Sequence, residues 1–167
     1  MESGSMIFLA VLVAVCVIPM LIISAKKKKK EKLFLQELFN LAEKSNCKIA
    51  EHEIWHNAEI GIDKSARKLF FIRKAGEDVI SKTVDLAEMQ KCRFVNTNRS
   101  VGNGSSTQVV IERLELIFTN QDRNKVDEIL AFYNSEYDSL TLRGEIQLAE
   151  KWNLVANSMI VPAAQKR

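Results

Sequence analysis

The chain has 167 residues, of which 47% are hydrophobic, 27% are charged and 7% are aromatic. This length accommodates one domain of ordinary size and an appended segment. The composition, with six glycines, two prolines and three cysteines, excludes collagen-like, disulfide-rich and intrinsically disordered chains. The net charge of +3 is local: without Glu2, Glu31 and the six lysines between positions 26 and 32, 18 basic and 19 acidic residues remain. A protein that binds nucleic acid spreads basic residues over a folded face, so we exclude nucleic acid as a partner.

An uncharged stretch of 18 residues, 6–23, dominates the N-terminal part of the chain. As a helix it is about 27 Å long, close to the thickness of a bilayer core of about 30 Å. We predict a transmembrane helix over residues 6–25, preceded by a short extracytoplasmic N-terminus (1–5), with the bilayer as its partner. A cleaved signal peptide is the alternative, but such a peptide carries positive charge before its apolar stretch, and residues 1–5 contain only Glu2.

A run of lysines follows the apolar stretch and sets the predicted topology. The cytoplasmic flank of a transmembrane helix is normally the lysine-rich one. We therefore expect a single-pass protein of the inner membrane, with its N-terminus outside and its C-terminal domain in the cytoplasm. Lysines near an anionic leaflet each contribute about 1 kcal/mol of attraction, so they are also candidate contacts for lipid headgroups. The candidate headgroup contacts are Lys26, Lys27, Lys28, Lys29, Lys30 and Lys32.

Residues 26–46 are predicted to be a basic juxtamembrane segment that continues into a short amphipathic helix. Phe34, Leu38 and Leu41 recur at helical spacing within this segment. Its polar face is not notably basic, which favours packing on the following domain over lying along a membrane surface.

From Cys47 to Asn134 the hydrophobic period changes to two, which is typical of strands with one buried face. Ala58, Ile60 and Ile62, for example, alternate with polar residues or glycine. Seven short antiparallel strands at this spacing indicate a barrel or sandwich. The candidate strands are 47–54, 58–63, 68–74, 79–86, 91–98, 107–118 and 126–133.

The last predicted element is an amphipathic helix over about 141–160, with Thr141 as its N-cap. Leu148, Trp152 and Met159 lie on one stripe of this helix. The domain is therefore predicted to span 47–160 and to be followed by a loose tail, 161–167. The overall fold class is α+β and mainly β: a transmembrane helix, then a seven-stranded antiparallel barrel or sandwich closed by a C-terminal amphipathic helix.

Seven strands closed by one C-terminal helix resemble the pleckstrin-homology-like (PH-like) superfold. The segments Ile60–Asp63 and Leu69–Phe71 resemble a hairpin of bacterial PH-like and GRAM-like domains, and Val84–Met89 resembles the segment that leads into their fifth strand. Trp152 stands where PH domains typically carry a tryptophan in the final helix.

The resemblance implies a binding module, because PH-like domains serve widely as protein-binding platforms. Phosphoinositide-binding members carry a basic cluster around the first hairpin. Here residues 51–59 are acidic, so the resemblance transfers no inositol-phosphate pocket.

Residues that could support catalysis or bind a metal are few. Cys47, His52 and His56 are close in sequence, but on a strand the two histidines stand roughly 13 Å apart, too far to share one zinc ion. No nucleophile–base pair or cofactor fingerprint is present. We therefore expect no metal, no cofactor and no enzymatic activity, and we expect Cys47 and Cys92 to be reduced thiols.

The sequence thus favours a membrane-anchored cytoplasmic binding or scaffold module that recognises a protein partner. The candidate contact surfaces are an open sheet edge and the loop over 98–107, because loops on a rigid scaffold carry many contacts. Within this loop the candidate contact residues are Gly102, Asn103, Gly104, Ser105 and Ser106. The alternative function is an anionic-lipid sensor that uses the lysine run, and a cryptic metal-dependent hydrolase is the least favoured.

Overall fold

The computed structural model describes residues 32–76, 78–101, 108–139 and 141–161. The chain divides into two units, Met1–Glu37 and Leu38–Arg167. Residues 32–44 form helix α1, of which residues 38–44 belong to the second unit together with all the other elements. These elements are β1 (Glu51–Trp55), β2 (Ala58–Asp63), β3 (Lys68–Ala75), β4 (Asp78–Asp85), β5 (Met89–Val101), β6 (Gln108–Asn120), β7 (Glu128–Asn134) and α2 (Glu145–Met159).

The seven strands form two antiparallel sheets. One has four strands in the order β1-β2-β3-β4, and the other has three strands in the order β5-β6-β7. The predicted fold class, with a seven-stranded barrel or sandwich closed by the C-terminal helix, is therefore wrong, because among the described residues the strands form two sheets that no ladder joins into a barrel. Alternation with a period of two shows that one face of a strand is buried, and it is the same in a barrel strand and in a strand of two stacked sheets.

Most predicted strands lie at the predicted places, with shifted ends. The largest shift is at the first strand, which was predicted over 47–54 and begins at Glu51. Lys48 donates its backbone N–H to the carboxylate of Asp63 at 2.7 Å, and Ala50 donates to the carbonyl of Ile62 at 2.8 Å. The carboxylate of Asp63 thus replaces a backbone partner for the segment before β1. The alternation of apolar residues does not reveal such a replacement.

The main hydrophobic core lies between the two sheets and α2. Its largest fully buried members include Phe71, Phe118, Phe132 and Trp152. Helix α2 is buried along Ala149, Trp152 and Ala156, so Trp152 of the predicted stripe lies in the core, whereas Leu148 and Met159 are only partly buried against it. The N-cap is Gly144, with φ of 106°, and not Thr141; the chain therefore enters α2 through a left-handed residue that has no side-chain cap.

A second, smaller hydrophobic cluster covers the opposite face of the four-stranded sheet. It contains Leu38 and Ala42 from α1, together with Cys47, Phe70 and Ile72. Gly61 makes this packing possible, because a Cβ there would lie 3.0 Å from Ile49 and 3.1 Å from Leu38. The C-terminal part of α1 therefore seats on β2 and β3 where the sheet carries no side chain.

The described ranges 32–76, 78–101, 108–139 and 141–161 contain no helix that is long and apolar enough to cross a membrane. A span takes about 20 apolar residues, whereas α2 has 15 and contains Glu145, Glu150 and Lys151. The predicted transmembrane segment, 6–25, and the preceding residues 1–5 lie outside the described residues. On this finding we correct the predictions of a single-pass protein and of an inner-membrane location, and we do not carry them further.

Candidate functional site

Strand β4 forms one edge of the four-stranded sheet, and five of its eight residues are exposed. Within the described residues its strand partner is β3, with which it pairs continuously from Ala75–Asp78 to Lys68–Asp85. Residues Asp78 to Ser81 are exposed on both faces of the sheet, and only Val84 is buried. The exposed residues include two large apolar side chains: Val79 is 55% exposed and Ile80 is 42% exposed.

The hydrogen-bond pattern identifies which backbone groups of β4 face outward. Leu86 donates its N–H to the carbonyl of Arg67 at 2.9 Å, in the register that β3 and β4 share. In an antiparallel ladder, hydrogen-bonded pairs alternate along the strand. The even-numbered residues of β4 therefore bond to β3, and the N–H and C=O groups of Val79, Ser81 and Thr83 point away from the sheet.

Natural proteins usually protect a sheet edge with proline, a bulge, a covering element or several charges. β4 contains no proline, and its pairing with β3 has no bulge. Its charged residues are Asp78, Lys82 and Asp85, and Lys82 lies 3.2 Å from Glu128 of the other sheet, so between Asp78 and Lys82 the edge carries no charge. This edge is therefore open to pairing with an additional strand.

An open groove of about 370 Å³ adjoins the C-terminal end of β4. Its lining includes the buried Val84 and Met89 and the exposed Val126. Lys125 and Glu88, which also line the groove, form an ion pair of 2.7 Å. This groove leaves space for a bound segment that extends beyond the C-terminal end of β4.

A second candidate site is a buried polar cluster beside a bulge in β7. Phe132 has no partner in β6, because Tyr133 pairs with Leu114 and Ala131 pairs with Glu115. The carbonyl of Phe132 accepts a hydrogen bond of 2.9 Å from the indole of Trp55. The carbonyl of Ala131 accepts one of 2.5 Å from the guanidinium of Arg73.

Two charged pairs complete this cluster. Arg73, which is 3% exposed, contacts Asp138 at 2.5 Å, and Asp138 also accepts the N–H of Asn134 at 2.8 Å. His56 places Nδ1 2.7 Å from the carboxylate of Glu145, whose second oxygen accepts the N–H of Arg143. His56 has φ of 43°, a conformation that costs a non-glycine residue on the order of 1–3 kcal/mol, so its contact with Glu145 offsets backbone strain.

The small cavity within this cluster limits the reactions that the cluster could support. An imidazole oriented by a carboxylate is a common general base, but it requires a substrate within hydrogen-bond reach. The cavity between these residues has a volume of about 10 Å³, which holds at most one water molecule. Burial, together with the carboxylates of Asp138 and Glu145, raises the pKa of the Tyr133 hydroxyl, which keeps it protonated. The cluster therefore ties the segment after β7 and the start of α2 to the strands.

The residues considered for a metal site do not come together. His56 contacts Glu145, the ring of His52 lies edge-on to Phe39 with 5.8 Å between centroids, and the Cys47 thiol donates to the carbonyl of Ser45. In the described part of the chain no group of three or more His, Cys, Asp or Glu side chains could hold a metal ion. Cys47 and Cys92 are free and buried, and burial raises the pKa of the Cys92 thiol to about 12.

The other predicted site residues fall largely outside the described residues. Gly102, Asn103, Gly104, Ser105 and Ser106 all do, as do Lys26 to Lys30. Of the candidate headgroup contacts only Lys32 is described, and it is exposed in α1.

Sequence reasoning missed both the open half of β4 and the polar cluster. The pattern of β4 shows which residues alternate, but it does not show that Val79 and Ile80 are left exposed by the described elements. The cluster joins residues such as Arg73 and Asp138, which are 65 positions apart, and no local signal connects them.

No model of a known protein family, no curated protein and no solved structure matches this chain. The resemblance to PH-like domains consequently stays a prediction.

Proposed function

We propose that this chain is a non-catalytic protein-recognition module that binds an extended segment of a partner by adding it as a strand to β4. The observation that carries the proposal is the exposure of Asp78 to Ser81 on both faces of a sheet edge. Strand addition obtains its affinity from backbone hydrogen bonds and its specificity from alternate side chains. β4 offers the outward N–H and C=O groups of Val79, Ser81 and Thr83 for the former.

The side chains of β4 define the chemistry of the segment that it accepts. Asp78, Ile80 and Lys82 lie on one face of the strand, since all three are an even number of residues from Val84. Opposite charges and apolar pairs across a ladder each contribute about 0.2–1 kcal/mol. The accepted segment is therefore extended, with a basic residue opposite Asp78, an apolar residue opposite Ile80 and an acidic residue opposite Lys82.

Two other functions are less well supported. Lipid sensing depends on the lysine run, of which only Lys32 is described. A hydrolase requires a space for substrate beside the His56–Glu145 pair, and the cavity there has the volume of one water molecule.

The proposal is tested by selecting a displayed library of random twelve-residue peptides against the full chain. We expect the selected peptides to be rich in β-branched residues and to bind at β4. Ser81→Pro removes the outward N–H of residue 81 without removing a bond to β3, so it should weaken peptide binding at least tenfold, about 1.4 kcal/mol.

Ser81→Ala is the matched control, because it keeps the N–H and alters only an exposed side chain. We expect it to bind the selected peptides as the unsubstituted chain does. Selection without enrichment, or equal binding to the proline and alanine variants, would contradict the proposal.

A further inference from the structure

The sequence of β4 is complementary to itself, which gives the open edge a specific occupant. Between Asp78 and Lys82 the strand reads acidic, apolar, apolar, polar, basic. Read in the antiparallel direction, the same segment supplies a base opposite Asp78 and an acid opposite Lys82. We propose that the segment bound by β4 is β4 of a second copy of this chain; this inference rests on the proposed function, because it uses the same edge.

The backbone limits how two β4 strands can pair. Both strands must present their outward groups, which belong to odd-numbered residues, so Val79 and Ser81 of one copy bond to odd-numbered residues of the other. Such a dimer has two-fold symmetry and buries the same surface on both copies.

The charges select one register among those that the backbone allows. With Val79 opposite Ser81 of the second copy, each Asp78 faces Lys82 and the two Ile80 side chains meet on the symmetry axis. These side chains belong to non-hydrogen-bonded pairs, in which the two backbones are closest, with about 4.5 Å between Cα atoms. Each Lys82 then lies between Asp78 of the second copy and its own Glu128, which is 3.2 Å away.

The neighbouring registers are less favourable. The smallest shift that keeps odd-numbered residues paired is two residues. In one direction it places Lys82 opposite Ile80, and it places Asp78 opposite Val84, which is fully buried. A further step places the two Lys82 side chains opposite each other, and like charges across a ladder are destabilising. A shift in the other direction places the charged Asp78 opposite the apolar Ile80. Only the first register pairs both charges and the exposed isoleucine.

The interface is short, so we expect a weak dimer whose population depends on protein concentration. Sedimentation velocity of the full chain, in a mild detergent that disperses the uncharged stretch 6–23, should show a monomer at micromolar and a dimer at millimolar concentration. Asp78→Lys and Lys82→Asp each create two like-charge pairs in the dimer and should each weaken it at least tenfold.

An equimolar mixture of these two variants provides the decisive comparison. In the mixed dimer the lysine introduced into one copy faces the aspartate introduced into the other, and the unchanged Lys82 of the first copy faces the unchanged Asp78 of the second. The mixture should therefore associate as tightly as the unsubstituted chain. A purely structural effect of either substitution is not repaired by mixing. Undiminished dimerisation of the single variants, or a mixture that stays monomeric, would overturn the inference.

Cross-linking tests the register independently of affinity. Ile80→Cys places two thiols opposite each other, within the Cα separation of about 4.4–6.8 Å that a disulfide requires. Under mild oxidation this variant should form a disulfide-linked dimer above the level of the unsubstituted chain, whereas Thr83→Cys should not. Cross-linking through position 83 in preference to position 80 contradicts the register.

Failure of this inference can be distinguished from failure of the proposed function. A chain that stays monomeric at every concentration but binds selected peptides through β4 overturns only the self-pairing. A chain that neither dimerises nor binds peptides in a Ser81→Pro-sensitive manner overturns both.

Discussion

Asp63 shows how one side chain fixes the local fold at the residue scale. Its carboxylate accepts hydrogen bonds from the hydroxyl and N–H of Ser65, from the N–H of Ala66 and from the N–H of Lys48. These donors, with the Ser65 hydroxyl as the largest contributor, hold the pKa of Asp63 far below its ordinary value. The residue thereby joins the segment before β1 to the turn between β2 and β3.

We predict that Asp63→Asn reduces the acid sensitivity of the fold. Because the pKa is lowered on folding, the carboxylate stabilises the chain above its unfolded pKa of about 3.9, and that stability is lost as the pH falls towards the folded value. The variant should unfold at a lower temperature near neutral pH, but its midpoint should fall less than that of the unsubstituted chain between about pH 5 and about pH 2.

Thermal unfolding followed by circular dichroism measures both effects. Asp122→Asn is the control, since Asp122 is exposed and its carboxylate accepts a hydrogen bond from the N–H of Asn124 in an exposed turn. We expect its acid profile to parallel that of the unsubstituted chain. A profile of Asp63→Asn that also runs parallel would contradict the role given to Asp63.

At the scale of elements, the sequence predicts the positions of the individual strands far better than it predicts how they are arranged in sheets and which of them are covered. The alternation of Ala58, Ile60 and Ile62 predicts β2 with its observed bounds, but not its burial on both faces, because Glu59 and Asp63 are buried as well. The separation into two sheets and the bulge at Phe132 depend on the pairing of residues that are distant in sequence. For the same reason, the sequence predicts an open sheet edge as a contact surface, but it does not predict that β4 is the strand that forms it.

The bulge in β7 leads to a prediction about Arg73. The side chain is buried and bonds to both the carbonyl of Ala131 and the carboxylate of Asp138. Arg73→Met leaves both groups without this donor, and breaking a buried pair costs about 3–5 kcal/mol. We expect the free energy of unfolding to fall by about 3 kcal/mol in a denaturant titration.

Arg93→Met is the matched control, because Arg93 is exposed on β5. Surface substitutions usually change stability by less than about 0.5 kcal/mol. If the two variants lose the same amount of stability, Arg73 does not hold the bulge in the way described.

At the scale of the whole molecule, the described residues between positions 38 and 161 form two sheets, a core between them and a second cluster that includes Leu38 and Ala42 of α1. Both faces of β2 and β3 are covered, whereas the first half of β4 is covered on neither. Burial in the two central strands, β2 and β3, therefore contributes most to the stability of this sheet. The apolar area that β4 exposes contributes nothing to the core of a single folded chain. An exposed edge of this kind marks a binding surface or an aggregation hazard.

Amide hydrogen exchange at β4 tests the central claim most directly. In a dilute solution of the chain the outward amides of Val79, Ser81 and Thr83 should exchange much faster than the amides of Ile80 and Lys82, which bond to β3. Raising the protein concentration, or adding a selected peptide, should slow the exchange of Val79 and Ser81. Exchange at these two amides that is already slow in dilute solution, or that neither condition changes, would contradict the account.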